Sequence, residues 1–243
     1  MAVSPWSVMK SGDADQAIRM MREAYEQMPD ASHIMELGVG YLWVKNYQAA
    51  WEHFYDVNQK DPNHHAIFYG MAGVAKWCMN EPEESVRQWC SGLNCRYADG
   101  AGGVQLPLLL FDASVFKPEV YPRAEAEKLL TVRANDRRVK NWPGPVAEFL
   151  LGRIDEGGLR SKCAGLNEGD TFMRHWLADF YIGILEHTHG NMQCFQKMIH
   201  KTAETSDDDF DSTKKQYLGK VWDAEFFIAY HESFGDRDMI KET

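Results

Sequence analysis

The chain has 243 residues, a hydrophobic fraction of 44%, an aromatic fraction of 12% and a formal charge of −10 from 26 basic and 36 acidic side chains. This composition fits a folded globular chain and argues against disorder. The acid excess disfavours nucleic acid and anionic membranes as partners, because both bind through clustered Lys and Arg.

Residues 5–30 hold the second helix of a hairpin, with Ala17, Met21 and Ala24 on one face and Pro29 after it, entered through a turn at Gly12-Asp13. Only about ten residues precede that turn, so the unit is expected to cap the array as a half-repeat. Residues 31–64 are the best-kept unit. Ile34, Leu37, Gly38 and Tyr41 share one face of a first helix, Lys45-Asn46 make a tight turn, and Ala50, Phe54 and Val57 share a face of a second helix. Pro62 stops that helix, since proline cannot continue it. Residues 65–98 return to the pattern with Phe68, Met71, Ala72 and Ala75, then Ser85, Val86, Trp89 and Gly92. One extra residue is expected in the turn around Asn80-Glu81-Pro82, with the proline in the first turn of the second helix.

The spacing in 31–64 resembles a tetratricopeptide repeat, whose large, Leu, Gly, Tyr, Ala, Phe, Ala and Pro positions fall on Ile34, Leu37, Gly38, Tyr41, Ala50, Phe54, Val57 and Pro62. The resemblance implies an all-α fold, an α-α superhelix of antiparallel hairpins with about 10–13 helices along the whole chain. It also implies that first helices line a concave groove. Counted by family position, the groove residues are Ser32, Met35, Val39, Leu42 and Trp43 in one repeat, and Ala66, Tyr69, Gly73, Lys76 and Trp77 in the next. Of these, Met35, Val39, Leu42, Trp43, Tyr69, Lys76 and Trp77 are the candidate partner-binding residues. Trp43 and Trp77 lie 34 positions apart, which would place them at equivalent sites. Trp anchors contribute roughly 2 kcal/mol or more each at interface hot spots; packing against neighbouring helices is their ordinary alternative. Apolar, aromatic walls suit an extended or helical peptide with apolar anchors.

Residues 99–243 read as degenerate hairpins continuing the array. The glycine-rich link Asp99 to Gly103 lacks the lysine and Ser/Thr of a phosphate-binding loop and reads as a linker. Leu108, Leu109, Phe111, Asp112 and Val115 fit a buried helix, and residues 122–138 a further one facing inward through Ala124, Leu129, Leu130 and Val132. The basic run Arg133 to Lys140 at its end reads as a solvated helix end and loop. A break at Trp142 to Pro145, a helix through Val146 and Ile154, and a short helix capped by Asp155 come next. Residues 171–205 form a hairpin turning at Gly190-Asn191, residues 206–211 an acidic loop, and residues 213–231 a terminal helix expected to close the stack. WPGPVAEFLLGRIDEGGL and ADFYIGILEHTHGN resemble the C-terminal half of bacterial tetratricopeptide adaptor proteins, among them a periplasmic lipoprotein whose signal and lipid-attachment cysteine this sequence lacks.

No secretory signal is expected from MAVSPWSVMK, and Val104 to Phe111 is far short of the roughly 18 apolar residues that span a bilayer. Cys78, Cys90, Cys95, Cys163 and Cys194 are odd in number and scattered, as in a cytoplasmic protein with free thiols. No G-x-S-x-G, H-E-x-x-H or Walker lysine is present. His187 with Cys194 or His200 supplies two metal ligands where zinc takes three or four. The expected function is therefore a scaffold or adaptor that binds a protein or peptide without catalysis, metal or cofactor. A dedicated inhibitor or chaperone of one partner, of the immunity type, is a specialised form. The alternative is an enzyme or ligand-binding protein with its site around Asp179, Glu186, His187 and His189.

Overall fold

Polar caps divide the chain into helical hairpins. Ser4, Asp13, Asp30, Asn46, Asp155 and Asn167 each accept a backbone N–H from the first turn of the adjoining helix, satisfying donors that a helix start leaves unpaired. The computed structural model describes residues 3–203 and 224–234. Among these lie α1 (Pro5–Lys10), α2 (Ala14–Gln27), α3 (Ala31–Trp43), α4 (Tyr47–Lys60), α5 (Ala66–Cys78) and α6 (Pro82–Ser91). They are followed by α7 (Gln105–Phe116), α8 (Arg123–Ala134), α9 (Gly144–Leu150), α10 (Glu156–Ser161), α11 (Glu168–Thr188), α12 (Met192–Ala203) and α13 (Ala224–Phe234). The fold is all-α. None of these helices is long and apolar enough to cross a membrane. The acidic loop at 206–211 and residues 213–223 of the expected terminal helix lie outside the described residues.

Four hairpins share one packing rule. Each turns through a residue with positive φ: Gly12 (93°), Lys45 (55°), Asn80 (58°) and Gly190 (78°). Nine positions later, a buried side chain of the second helix fills the hairpin: Met21, Phe54, Trp89 and Ile199. In three of the four, the first helix carries a glycine seven positions before the turn residue. A Cβ on Gly38 would lie 2.1 Å from the Phe54 ring, one on Gly73 would lie 2.1 Å from the Trp89 indole, and one on Gly183 would lie 2.9 Å from Met198 Cβ. In the α1–α2 hairpin that position is Pro5, the first residue of α1.

This rule corrects the register of the second repeat. α3 and α5 begin at 31 and 66, and α4 and α6 at 47 and 82, so the period is 35. The added residue lies in the loop between α4 and α5, not in the turn at Asn80 to Pro82. The counterpart of Gly38 is Gly73, not Ala72, because the Trp89 indole takes the place that Phe54 takes one hairpin earlier. Trp43 is consequently matched by Cys78, and Trp77 by Leu42; the two tryptophans are not equivalent.

After α6 the regular count ends. Tyr97 pairs with His65 in an isolated parallel bridge, with Ala66 donating to the Tyr97 carbonyl at 2.9 Å and Tyr97 to the His64 carbonyl at 2.8 Å. The chain then enters α7, buried from Leu106 to Ser114. In α8 the inward residues are Ala126, Leu130 and Ala134, four apart, whereas Val132 is 63% exposed and Ala124 is exposed. That face follows helical spacing from the α7 contact, and it overrides the reading that put Ala124 and Val132 inside.

Candidate partner-binding face

Every candidate groove residue is buried: Met35, Val39, Leu42, Trp43, Tyr69, Lys76 and Trp77. Two of them serve the repeat itself. The Tyr69 hydroxyl donates to the Pro62 carbonyl at 3.1 Å, and the Lys76 ammonium lies 2.9 Å from Glu81 Oε2 and 3.9 Å over the Trp51 ring. Met35, Val39 and Leu42 belong to the continuous core.

Trp43, Trp77 and Cys78 face a helix of the same chain. Trp43 meets the Phe227 ring edge-on with centroids 6.1 Å apart, and the Cys78 thiol contacts the Phe227 carbonyl at 3.9 Å. Trp77 stacks on Trp89 (5.7 Å), touches Phe116 (6.2 Å) and donates its indole N–H to Glu232 Oε1 at 3.0 Å. At the other end of α13, Glu225 Oε1 accepts from the Tyr181 hydroxyl at 2.9 Å. Glu225 and Glu232 are seven positions apart, two helical turns, so both fall on one side of α13. They hold α13 along α5, against α11 and α12, with Trp43 at the end of α3 reaching Phe227.

The Tyr181 hydroxyl also lies 3.2 Å from Asp112 Oδ2 on α7. Burial, and then the neighbouring Glu225, hold the Asp112 carboxyl well above the usual carboxylate range; the Tyr181 hydrogen bond and Arg123 oppose this. Burial and the same two acids push the Tyr181 phenol up. Sequence reasoning named Asp112 only as part of a buried helix and did not identify Glu225 or Tyr181. The available signal was one acid inside the apolar run LPLLLFDASVF, since an acid is rarely fully buried without partners.

The residues of the alternative site do not converge. Asp179 is bound by Arg160 at 2.9 Å and Lys201 at 2.6 Å, Glu186 accepts from the Asn191 amide at 2.5 Å, and His189 is exposed. His187 packs on Phe195 (4.7 Å) and Phe116 (6.0 Å) at an open cleft of roughly 660 Å³ that also exposes Lys197, His200 and Glu232. Among the described residues no three His, Cys, Asp or Glu side chains cluster as metal ligands. In the glycine-rich link, Asp99 Oδ1 accepts from the Ala101 and Gly103 amides (2.8 and 3.1 Å) and Oδ2 from the Gln105 amide (2.7 Å). The chain's own carboxylate thus fills the ring of N–H groups a phosphate would use.

No family model, curated protein or solved structure matches this chain. The geometry of the α3–α5 face is accordingly the basis for a functional reading.

Proposed function

We propose that this chain is a protein-interaction module of the tetratricopeptide type, a non-catalytic adaptor whose first-helix face receives an amphipathic helix from a protein partner. The observation that supports it most is the seat of α13: the groove positions Trp43 and Trp77 hold a helix through an aromatic contact and an indole hydrogen bond. Helix-in-groove recognition uses such anchors. In the isolated chain α13 takes the partner's place, and a partner helix binds by displacing it. The net charge of −10 favours a basic partner surface by steering encounter, as in a dedicated inhibitor of one protein. The free thiols of the five cysteines suit a cytoplasmic setting.

The test is capture of a partner by the full chain and by Phe227→Asp, which places a charge against Trp43 and loosens α13. Capture should rise in the variant, and a peptide of sequence 224–234 should compete it away. Capture that responds to neither change would remove the α3–α5 face from the account.

A further inference from the structure

Tyr181 stands between two acids, with its hydroxyl 3.2 Å from Asp112 Oδ2 and 2.9 Å from Glu225 Oε1, and all three side chains are buried. A phenol has one proton to donate and an oxygen that accepts. If both acids were ionised, one of the two contacts would lack a proton and two like charges would share a site buried from bulk solvent, which carboxyl pairs avoid by retaining a proton. The arrangement closes when one carboxyl keeps its proton and donates to the phenol oxygen, while the phenol donates to the other. Asp112 is placed to keep it. Its Oδ1 has no hydrogen-bond partner among the described residues; the Arg123 guanidinium is stacked 3.6 Å over the Phe111 ring and bonded to Glu127 through Nε, and its buried Nη1 makes no hydrogen bond to Asp112.

We propose that seating α13 against α5, α11 and α12 takes up one proton, shared among Asp112, Tyr181 and Glu225, so that α13 is held when the proton is present and released as it is lost. Among the described residues, the groups facing this proton are Asp112 from α7, Arg123 from α8, Tyr181 from α11 and Glu225 from α13. Cys78 of α5 faces the Phe227 carbonyl in the same turn as Glu225, and two turns along α13 Lys197 and His200 of α12 line a cleft with Glu232. The direction is set by the groups that leave with α13. Without Glu225 beside it, and with water admitted, the Asp112 carboxyl returns toward its ordinary range and ionises. The seated state therefore binds more protons than the released state above that range, and seating weakens as pH rises. Below the ordinary carboxylate range both states are protonated and the dependence vanishes.

Hydrogen exchange read by mass spectrometry over residues 224–234, corrected for intrinsic exchange chemistry, measures the opening of α13 in the full chain. One proton per seating event makes the wild-type opening constant rise about tenfold per pH unit above about pH 5, until Asp112 ionises in the seated state. In Asp112→Asn the side-chain amide donates to the phenol without a titrating proton, and the slope should vanish. Glu225→Gln makes the same substitution from the α13 side and replaces that test if Asp112→Asn does not fold. A wild-type opening constant independent of pH, or a slope unchanged in the variants, overturns the proposal. Partner capture plays no part in this readout, so the result is separate from that of the proposed function.

Discussion

The indole N–H of Trp77 on α5 donates to Glu232 in the last described turn of α13, 155 positions later in the chain, at 3.0 Å. Trp77 thus anchors a helix of its own chain. Glu232→Ala should cost about 1 kcal/mol, the usual net worth of one hydrogen bond. Urea denaturation would register that loss, and faster hydrogen exchange confined to α13 would locate it. Trp77→Phe should give a similar loss while keeping the ring contact with Trp89.

The glycine notches carry a second expectation. Alanine at Gly38 gains about 1 kcal/mol of helix propensity, yet its Cβ would lie 2.1 Å from the Phe54 ring. Overpacking costs about 1–3 kcal/mol, so the collision should prevail. Gly38→Ala and Gly73→Ala are each expected to destabilise the chain by up to about 2 kcal/mol net in denaturant titrations. Adding Phe54→Leu to Gly38→Ala should recover part of the loss, because it removes the ring from the notch.

His53 should set the acid side of the stability profile. Its Nε2 lies 2.9 Å from the Ile34 carbonyl, so that nitrogen carries the hydrogen, and the ring packs edge-on against Tyr25 at 5.0 Å. Burial holds its pKa below the ordinary histidine value. The unfolded chain then takes up a proton as pH falls through about 6.5 while the folded chain does not. Stability should therefore decline as pH drops below that value, and His53→Gln, which still donates to the carbonyl, should flatten the decline. Thermal melts of both proteins across that interval would check it.

Asp99 offers a test confined to one loop. Asp99→Ala leaves the amides of Ala101, Gly103 and Gln105 without their carboxylate, and buried donors left unpaired cost about 1–3 kcal/mol. Exchange at 99–105 should accelerate well before any change in α3 or α4.

The hairpins were legible because their signals are local: a turn former, a cap and a glycine set at fixed distances within one unit. Gly12, Lys45-Asn46 and Gly190-Asn191 all sit in turns where the sequence puts them. The register of α5 was not legible. Ala72 and Gly73 are both small, and only the volume of the Trp89 indole decides which of them takes the notch. At the candidate site the aromatic chemistry of Trp43 and Trp77 could be read, but not the helix that covers it, because Phe227, Glu225 and Glu232 meet their partners across 44 to 155 positions in the hydrogen bonds they make. Asp112 was visible as an acid in an apolar run; the proton it shares depends on two other helices.

The bridge between His65 and Tyr97 bears on how the chain is assembled. By pairing residue 97 with the residue that precedes α5, it folds the exit of the α5–α6 hairpin back to its entrance. The segment that would launch another copy of the same unit is used as a clasp, and the next α-helix begins only at Gln105. Duplication of the α5–α6 unit would need that clasp opened, whereas duplication of α3–α4, which has no such tie, would lengthen the array and leave α5 and its clasp intact.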